Sequence, residues 1–188
     1  MARIGTHVSV AGGLDKAFAR ADALGCESMQ IFTRSQRQWQ SKPVSLQEAE
    51  DFYRAWQRSS VETVVSHASY LINIGSSDAE MLEKSRRALR EEAERCHQLG
   101  ITDIVLHPGF AKEATADEAI ENIAASLRQL FEDTPDFRAR VLLETMAGQG
   151  TVIGADFAHF SQIGELLDWP PRLAFCVDTC HVFAAGYD

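Results

Sequence analysis

Short runs of β-branched and aliphatic residues alternate along this chain with longer segments whose apolar positions recur every three or four residues. The short runs predict strands at 3–10, 28–33, 62–66, 103–106, 140–143 and 172–177. Ile104-Val105-Leu106 and Val141-Leu142-Leu143 are continuously apolar, as strands buried on both faces must be. Helices fall between them. Ser45-x-x-Glu48, Ser77-x-x-Glu80 and Thr115-x-x-Glu118 read as capping boxes, in which hydroxyl and carboxylate each satisfy a free amide of the first turn. Gly25 and Gly100 sit where two helices should stop, since glycine takes the left-handed turn at low cost. In the long third helix Leu82, Leu89, Cys96 and Leu99 share one face, and Arg86, Arg87, Arg90 and Glu94 decorate others.

Six strands alternating with helices predict a parallel α/β architecture, either an open doubly wound sheet or a closed (β/α)8 barrel. After the first strand, Val10-Ala11-Gly12-Gly13-Leu14 lacks the GxGxxG pattern of a nucleotide loop. The polar residues decide between the two. His7, Thr33, His67, His107, Glu144 and Asp178 stand at successive strand ends, spaced by one βα unit each. A barrel gathers such positions around its C-terminal mouth, whereas an open sheet spreads them along an edge. The expectation is a (β/α)8 TIM-barrel fold with about six of eight units present. Residues 1–188 are then one barrel domain, incomplete at its C-terminal end.

Composition narrows the chemistry. At 188 residues, 45% hydrophobic and 24% charged, the chain has the make-up of a globular domain. There is neither a membrane-length apolar run nor a signal-peptide core, so no membrane partner is expected. Cys26, Cys96, Cys176 and Cys180 lack disulfide-scaffold density, which reads as reduced thiols and a cytoplasmic location. Cys176 and Cys180 are read as packing residues rather than ligands. The net charge of −9 excludes binding nucleic acid by bulk electrostatics, but it is unevenly spread. Residues 1–42 carry six Lys/Arg against three Asp/Glu, and residues 43–188 carry 12 against 24.

His67, His107, Glu144, Asp178 and His181 together form an N/O donor set without thiolate, which suits zinc or another divalent transition metal. His97 and His159 fall on helices and read as ordinary packing residues. Several blocks then become recognisable: Ile4-Gly5-Thr6-His7-Val8-Ser9, Gln36-Arg37-Gln38-Trp39, His67-x-Ser69-Tyr70-Leu71-Ile72-Asn73, Leu106-His107-Pro108-Gly109, Glu144-Thr145-x-Ala147-Gly148-Gln149-Gly150 and Val177-Asp178-Thr179-Cys180-His181. In this order they resemble the endonuclease IV family, zinc-dependent apurinic/apyrimidinic endonucleases. Ala68 departs from members that place an acid after the metal histidine.

The resemblance implies three zinc ions at the mouth of a complete barrel, and fewer here. It assigns His67 and His107 to one ion, Glu144 as the catalytic bridge to a second, Asp178 to that second ion and His181 to the third. It implies double-stranded DNA with abasic sites as partner, probed by Gln36, Arg37, Gln38 and Tyr70, with His7 supporting the ligands from behind. Cleavage would fall 5′ to the abasic sugar, leave a 3′-hydroxyl and serve base excision repair. No obligate protein partner is evident. A sugar isomerase or epimerase of the same barrel class stays open as an alternative, as does a non-catalytic zinc-binding remnant. With six strands, residues 1–188 alone are expected to be inactive or nearly so.

Overall fold

The computed structural model describes residues 2–188. Six parallel strands alternate with six helices: β1 Gly5–His7, α1 Lys16–Ala23, β2 Ser28–Ile31, α2 Leu46–Trp56, β3 Thr63–His67, α3 Ala79–Leu99, β4 Asp103–Leu106, α4 Ala116–Asp133, β5 Arg140–Glu144, α5 Phe157–Leu167, β6 Leu173–Cys176 and α6 Thr179–Ala184. The strands lie in one sheet in the order β1-β2-β3-β4-β5-β6. A doubly wound sheet reverses its strand order at a switch point. Here each strand pairs with the next in sequence and the order never reverses, which is the winding of a barrel.

Register sorts the side chains. Ile31 pairs across to Ser66, Ser66 to Ile104, Ile104 to Val141 and Val141 to Leu173. Because side chains alternate with period two, this row and its neighbours Met29, Val64, Leu106 and Leu143 share one face. Nearly all of it is buried against the helices. The opposite face carries His7, Gln30, His67, Val105, Leu142 and Glu144 by the same parity. The core is therefore a sheet–helix layer, and the chemistry stands on the inner face.

Three expectations are corrected. β1 is three residues long rather than eight; at its ends Ile4 N–H donates to the Glu27 carboxylate and Val8 turns into the loop before α1. Thr33 does not join the mouth, because its parity with Ile31 turns it outward, where its hydroxyl donates to Glu92 of α3 at 2.8 Å. The box at Ser77 is absent. Asp78 caps α3 instead, its carboxylate accepting from Met81 N–H at 2.8 Å. An anionic acceptor suits the positive end of a 21-residue helix better than a hydroxyl one residue earlier. The other two capping boxes form, and Gly100 takes the left-handed cap with φ of 73°. Asp78→Ala is expected to lower stability by about 0.5–2 kcal/mol and Ser77→Ala by far less, measurable by thermal unfolding. Equal losses would show that the cap is misassigned.

Candidate metal centre and its rim

β3, the turn after β4, β5 and the start of α6 bring five donors together. Glu144 Oε2 lies 3.1 Å from His67 Nε2 and 3.3 Å from His107 Nε2. The other oxygen, Oε1, lies 3.6 Å from His181 Nδ1, which is 3.9 Å from Asp178 Oδ2. Two donor groups result, His67/His107/Glu144 and Glu144/Asp178/His181, each with its ligand atoms within 4.8 Å of one another. Glu144 belongs to both and offers one oxygen to each. Among the described residues neither group contains a cysteine. Burial and the nearby Glu144 and Asp178 charges push the Cys176 thiol up to about 11, which keeps it protonated.

The proton inventory is informative. His67 Nδ1 lies 2.7 Å from the Ala68 carbonyl, which can only accept, so Nδ1 carries the hydrogen. Nε2 then faces a carboxylate oxygen at 3.1 Å, and a bare lone pair there would meet another lone pair. A positive charge must sit between them, either a proton or a metal ion. His107 Nε2 approaches the same oxygen, so a cation between the three atoms satisfies them all. The donor set therefore fits a divalent metal. His181 Nδ1–H donates to the Thr145 carbonyl at 2.8 Å, so its hydrogen-bearing nitrogen faces Glu144 and Asp178 and Nε2 is the nitrogen left free to ligate.

Burial alone would raise the Glu144 carboxyl. Hydrogen bonds and charge from His107 and His67 outweigh it and hold the group at about 2. Its folded value lies below the free-glutamate 4.5, so ionised Glu144 stabilises the metal-free fold above about pH 4.5, and that contribution is lost as pH falls through 2. In chelator, the gap in melting temperature between wild type and Glu144→Gln is expected to close across that window. A gap that widens with acid would refute the sign.

An aromatic rim surrounds the donors. Tyr70 is half exposed, with its ring 5.1 Å from His67, 5.2 Å from His107 and 5.6 Å from Phe32. Burial and the Glu144 charge raise its phenol, which stays a hydrogen-bond donor. His7 is a member of neither donor group. Phe32 packs against both rings, 4.4 Å from His7 and 5.2 Å from His67. Gln30 Nε2 donates to His7 Nδ1 at 3.0 Å, and burial together with the His67 charge lowers His7, which favours the neutral ring.

Gln36, Arg37 and Gln38 lie on the loop between β2 and α2, outside both donor groups. The loop divides them: Gln36 and Arg37 line a cavity of about 670 Å³ with His7 and Phe32, and Gln38 lines another of about 1370 Å³ with Trp39 and Lys84. His97 stacks on Phe137 at 4.3 Å, and His159 Nδ1 accepts from Gly154 N–H, both away from the donors.

Sequence reading missed two supports. Thr145 accepts from Asp178 N–H at 2.9 Å and so ties the two strand ends together. Asn73 accepts from Gly75 and Phe110 N–H and donates to the Phe110 carbonyl, lashing the loop after β3 to the one after His107. Gly109 passes so close, at φ of 122°, that a Cβ there would land on the Asn73 carboxamide. Both supports lay inside recognised motifs, which was the available signal.

The sheet winding and a two-histidine, two-carboxylate mouth completed by His181 define a metal-site barrel. The model of the xylose isomerase-like TIM barrel family matches residues 18–188, and the chain belongs to that family. Its sequence is similar to a probable endonuclease 4 from Halorhodospira halophila, 48% identical over 189 residues, which cover all of this chain and 64% of that relative. The crystal structure of endonuclease IV from Thermus thermophilus superimposes with a TM-score of 0.83 at 34% identity, covering 99% of this chain and 66% of that one. A D-tagatose 3-epimerase-like protein shares the fold alone, at TM-score 0.74 and 19% identity over 95% of this chain and 66% of that one. The chain thus spans somewhat under two thirds of the length of these proteins. No helix among the described residues is long and apolar enough to cross a membrane.

Proposed function

We propose that this chain is the metal-bearing part of a zinc-dependent DNA-repair endonuclease, one that hydrolyses the phosphodiester 5′ to abasic sites in double-stranded DNA and leaves a 3′-hydroxyl. One observation carries the reading: Glu144 faces two donor groups at once, in a chain 48% identical to a protein named probable endonuclease 4. His67, His107 and Glu144 would hold one ion, Glu144 and Asp178 a second, and His181, through its free Nε2, would contribute to a third. Zinc there supplies concentrated positive charge that polarises a phosphoryl oxygen and makes water nucleophilic at neutral pH.

The chain's own residues do the rest. Glu144, ionised at neutral pH, offers an oxygen to each group. The Ala68 and Thr145 carbonyls hold the His67 and His181 rings in place. Tyr70 presents an aromatic face beside the donors, suited to propping open a stack where a sugar lacks its base. The net charge of −9 repels DNA, so the approach falls to local cations. Arg37 and Lys42 are exposed for this, whereas Arg34 is buried against Glu91 and adds nothing outside.

In the full-length protein, a duplex with one abasic site should be nicked in a chelator-sensitive way, and a polymerase should extend the new 3′ end. Arg37→Ala and Tyr70→Ala should each weaken binding or cleavage by about tenfold with zinc content intact, and Arg37→Ala should flatten the salt dependence. Epimerisation of a ketose without nicking would move the assignment to the isomerase branch of the family. Unchanged activity in both variants would remove this loop and this tyrosine from recognition.

A further inference from the structure

We propose that Arg34 and Arg95 are positioning residues that clamp the loop of residues 34–42 from behind, in the one shape that offers Gln36 and Arg37 to DNA beside the donor groups. The assignment to DNA rests on the function proposed above; the clamp itself does not. The segment between β2 and the cap of α2 has no regular structure, so its carbonyls find few partners within it. Four of them are satisfied from outside or by folding back. Arg95, on α3, donates Nη2 to the Thr33 carbonyl and Nη1 to the Lys42 carbonyl at 2.5 Å. One guanidinium thereby closes the neck of the loop. Its Nε also donates to the Thr33 hydroxyl at 3.0 Å.

Arg34 works from inside. Its side chain is 2% exposed, pairs with Glu91 of α3 at 2.9 Å and donates Nη2 to the Trp39 carbonyl, which folds the loop back over its own start. Lys84 Nζ lies 4.6 Å over the Trp39 ring and closes the far side. Ser69, two residues after His67, donates to the Gln36 carbonyl at 2.9 Å. Beneath sits Glu92, fully buried, accepting from the Thr33 hydroxyl at 2.8 Å and the Ser66 hydroxyl at 2.6 Å. Ser66 precedes His67. A single carboxylate therefore joins the root of the loop to the strand that bears a donor.

This cluster is poorly optimised for stability. Arg34 Nε and Glu92 Oε2 are the two buried side-chain atoms without a partner among the described residues. Each such atom loses its hydration without gaining a partner, and packed hydrocarbon would hold a helix to a sheet at lower cost. What hydrocarbon cannot do is bind backbone carbonyls in fixed directions. The planar arginine fork does that, and lysine does so only in part.

The test uses the zinc-loaded full chain and its Arg34→Met, Arg95→Met and Arg95→Lys variants. Three readouts are followed: zinc content, the rate of tryptic cleavage after Arg37 by mass spectrometry, and KM and kcat on an abasic duplex. Both Met variants should raise cleavage after Arg37 by about tenfold, because local opening of the loop becomes easier. KM should rise by about tenfold through lost preorganisation, with kcat changed less and zinc content unchanged. Arg95→Lys, the milder change should the Met variants fold poorly, should fall between wild type and Arg95→Met. Unchanged tryptic cleavage in every variant overturns the clamp, whatever the substrate. Faster cleavage with unchanged KM, on a duplex the wild type cuts, overturns the positioning role. Faster cleavage in a protein that never acts on abasic DNA upholds the clamp and sinks the proposed substrate instead.

Discussion

Glu144→Gln is expected to empty both donor groups at once while leaving the fold intact. The glutamine amide is neutral, and one of its two ends is a donor that cannot ligate a cation. The first group would keep only two imidazoles and no negative charge, and the second would keep Asp178 as its one carboxylate. Disturbing outer-shell partners of a metal typically lowers affinity by about 10–100-fold, so removal of a shared ligand should exceed about 100-fold. His181→Ala supplies the contrast, because His181 has no part in the group of His67, His107 and Glu144 and should spare it. Zinc stoichiometry after competition with a chromophoric chelator, read beside circular dichroism, checks both. A folded Glu144→Gln protein that retains wild-type zinc would show that the two clusters are hydrogen-bonded pairs rather than ligand sets.

Residues 1–188 on their own are expected to self-associate at micromolar concentration and to cut abasic DNA poorly. Among the described residues β1 and β6 each pair on one side only. Unpaired strand edges with apolar neighbours recruit other chains, and Ile4, Phe175, Val177 and Phe183 are all exposed around these two edges. The inner face is affected too: Val65 and Leu142 stay partly exposed where a closed barrel would cover them. Joining the chain to the final third of the Halorhodospira halophila relative should restore a monomer and raise nicking. Sedimentation at several concentrations, with cleavage followed in the same samples, decides it. A monomeric 1–188 polypeptide with robust, chelator-sensitive nicking would refute the expectation.

Much of the architecture was written locally. Apolar runs separated by one βα unit predicted every strand, and β4 to the residue, because burial on both faces leaves little choice of residue type. Ser45, Thr115 and Gly100 act within three or four residues of themselves, so their caps were readable from spacing. His67, His107, Glu144 and Asp178 could be placed at one end of the sheet because each stands at or just past a strand end. Period two then puts them on one face, which is a property of the strand alone.

Tertiary structure decided what depends on partners distant in sequence. Thr33 looked like one more strand-end candidate until register turned it outward to Glu92, 59 residues away. Glu92 itself falls on the same helical face as Leu89, Cys96 and Leu99, and a charged residue on an apolar stripe was the one local hint of that network. The division of Glu144 into one oxygen for each donor group depends on a side-chain rotamer set by three histidines from different elements. So does the packing of Phe32 against both His7 and His67. No local propensity encodes such contacts, because each becomes defined only when register and packing place both partners at once.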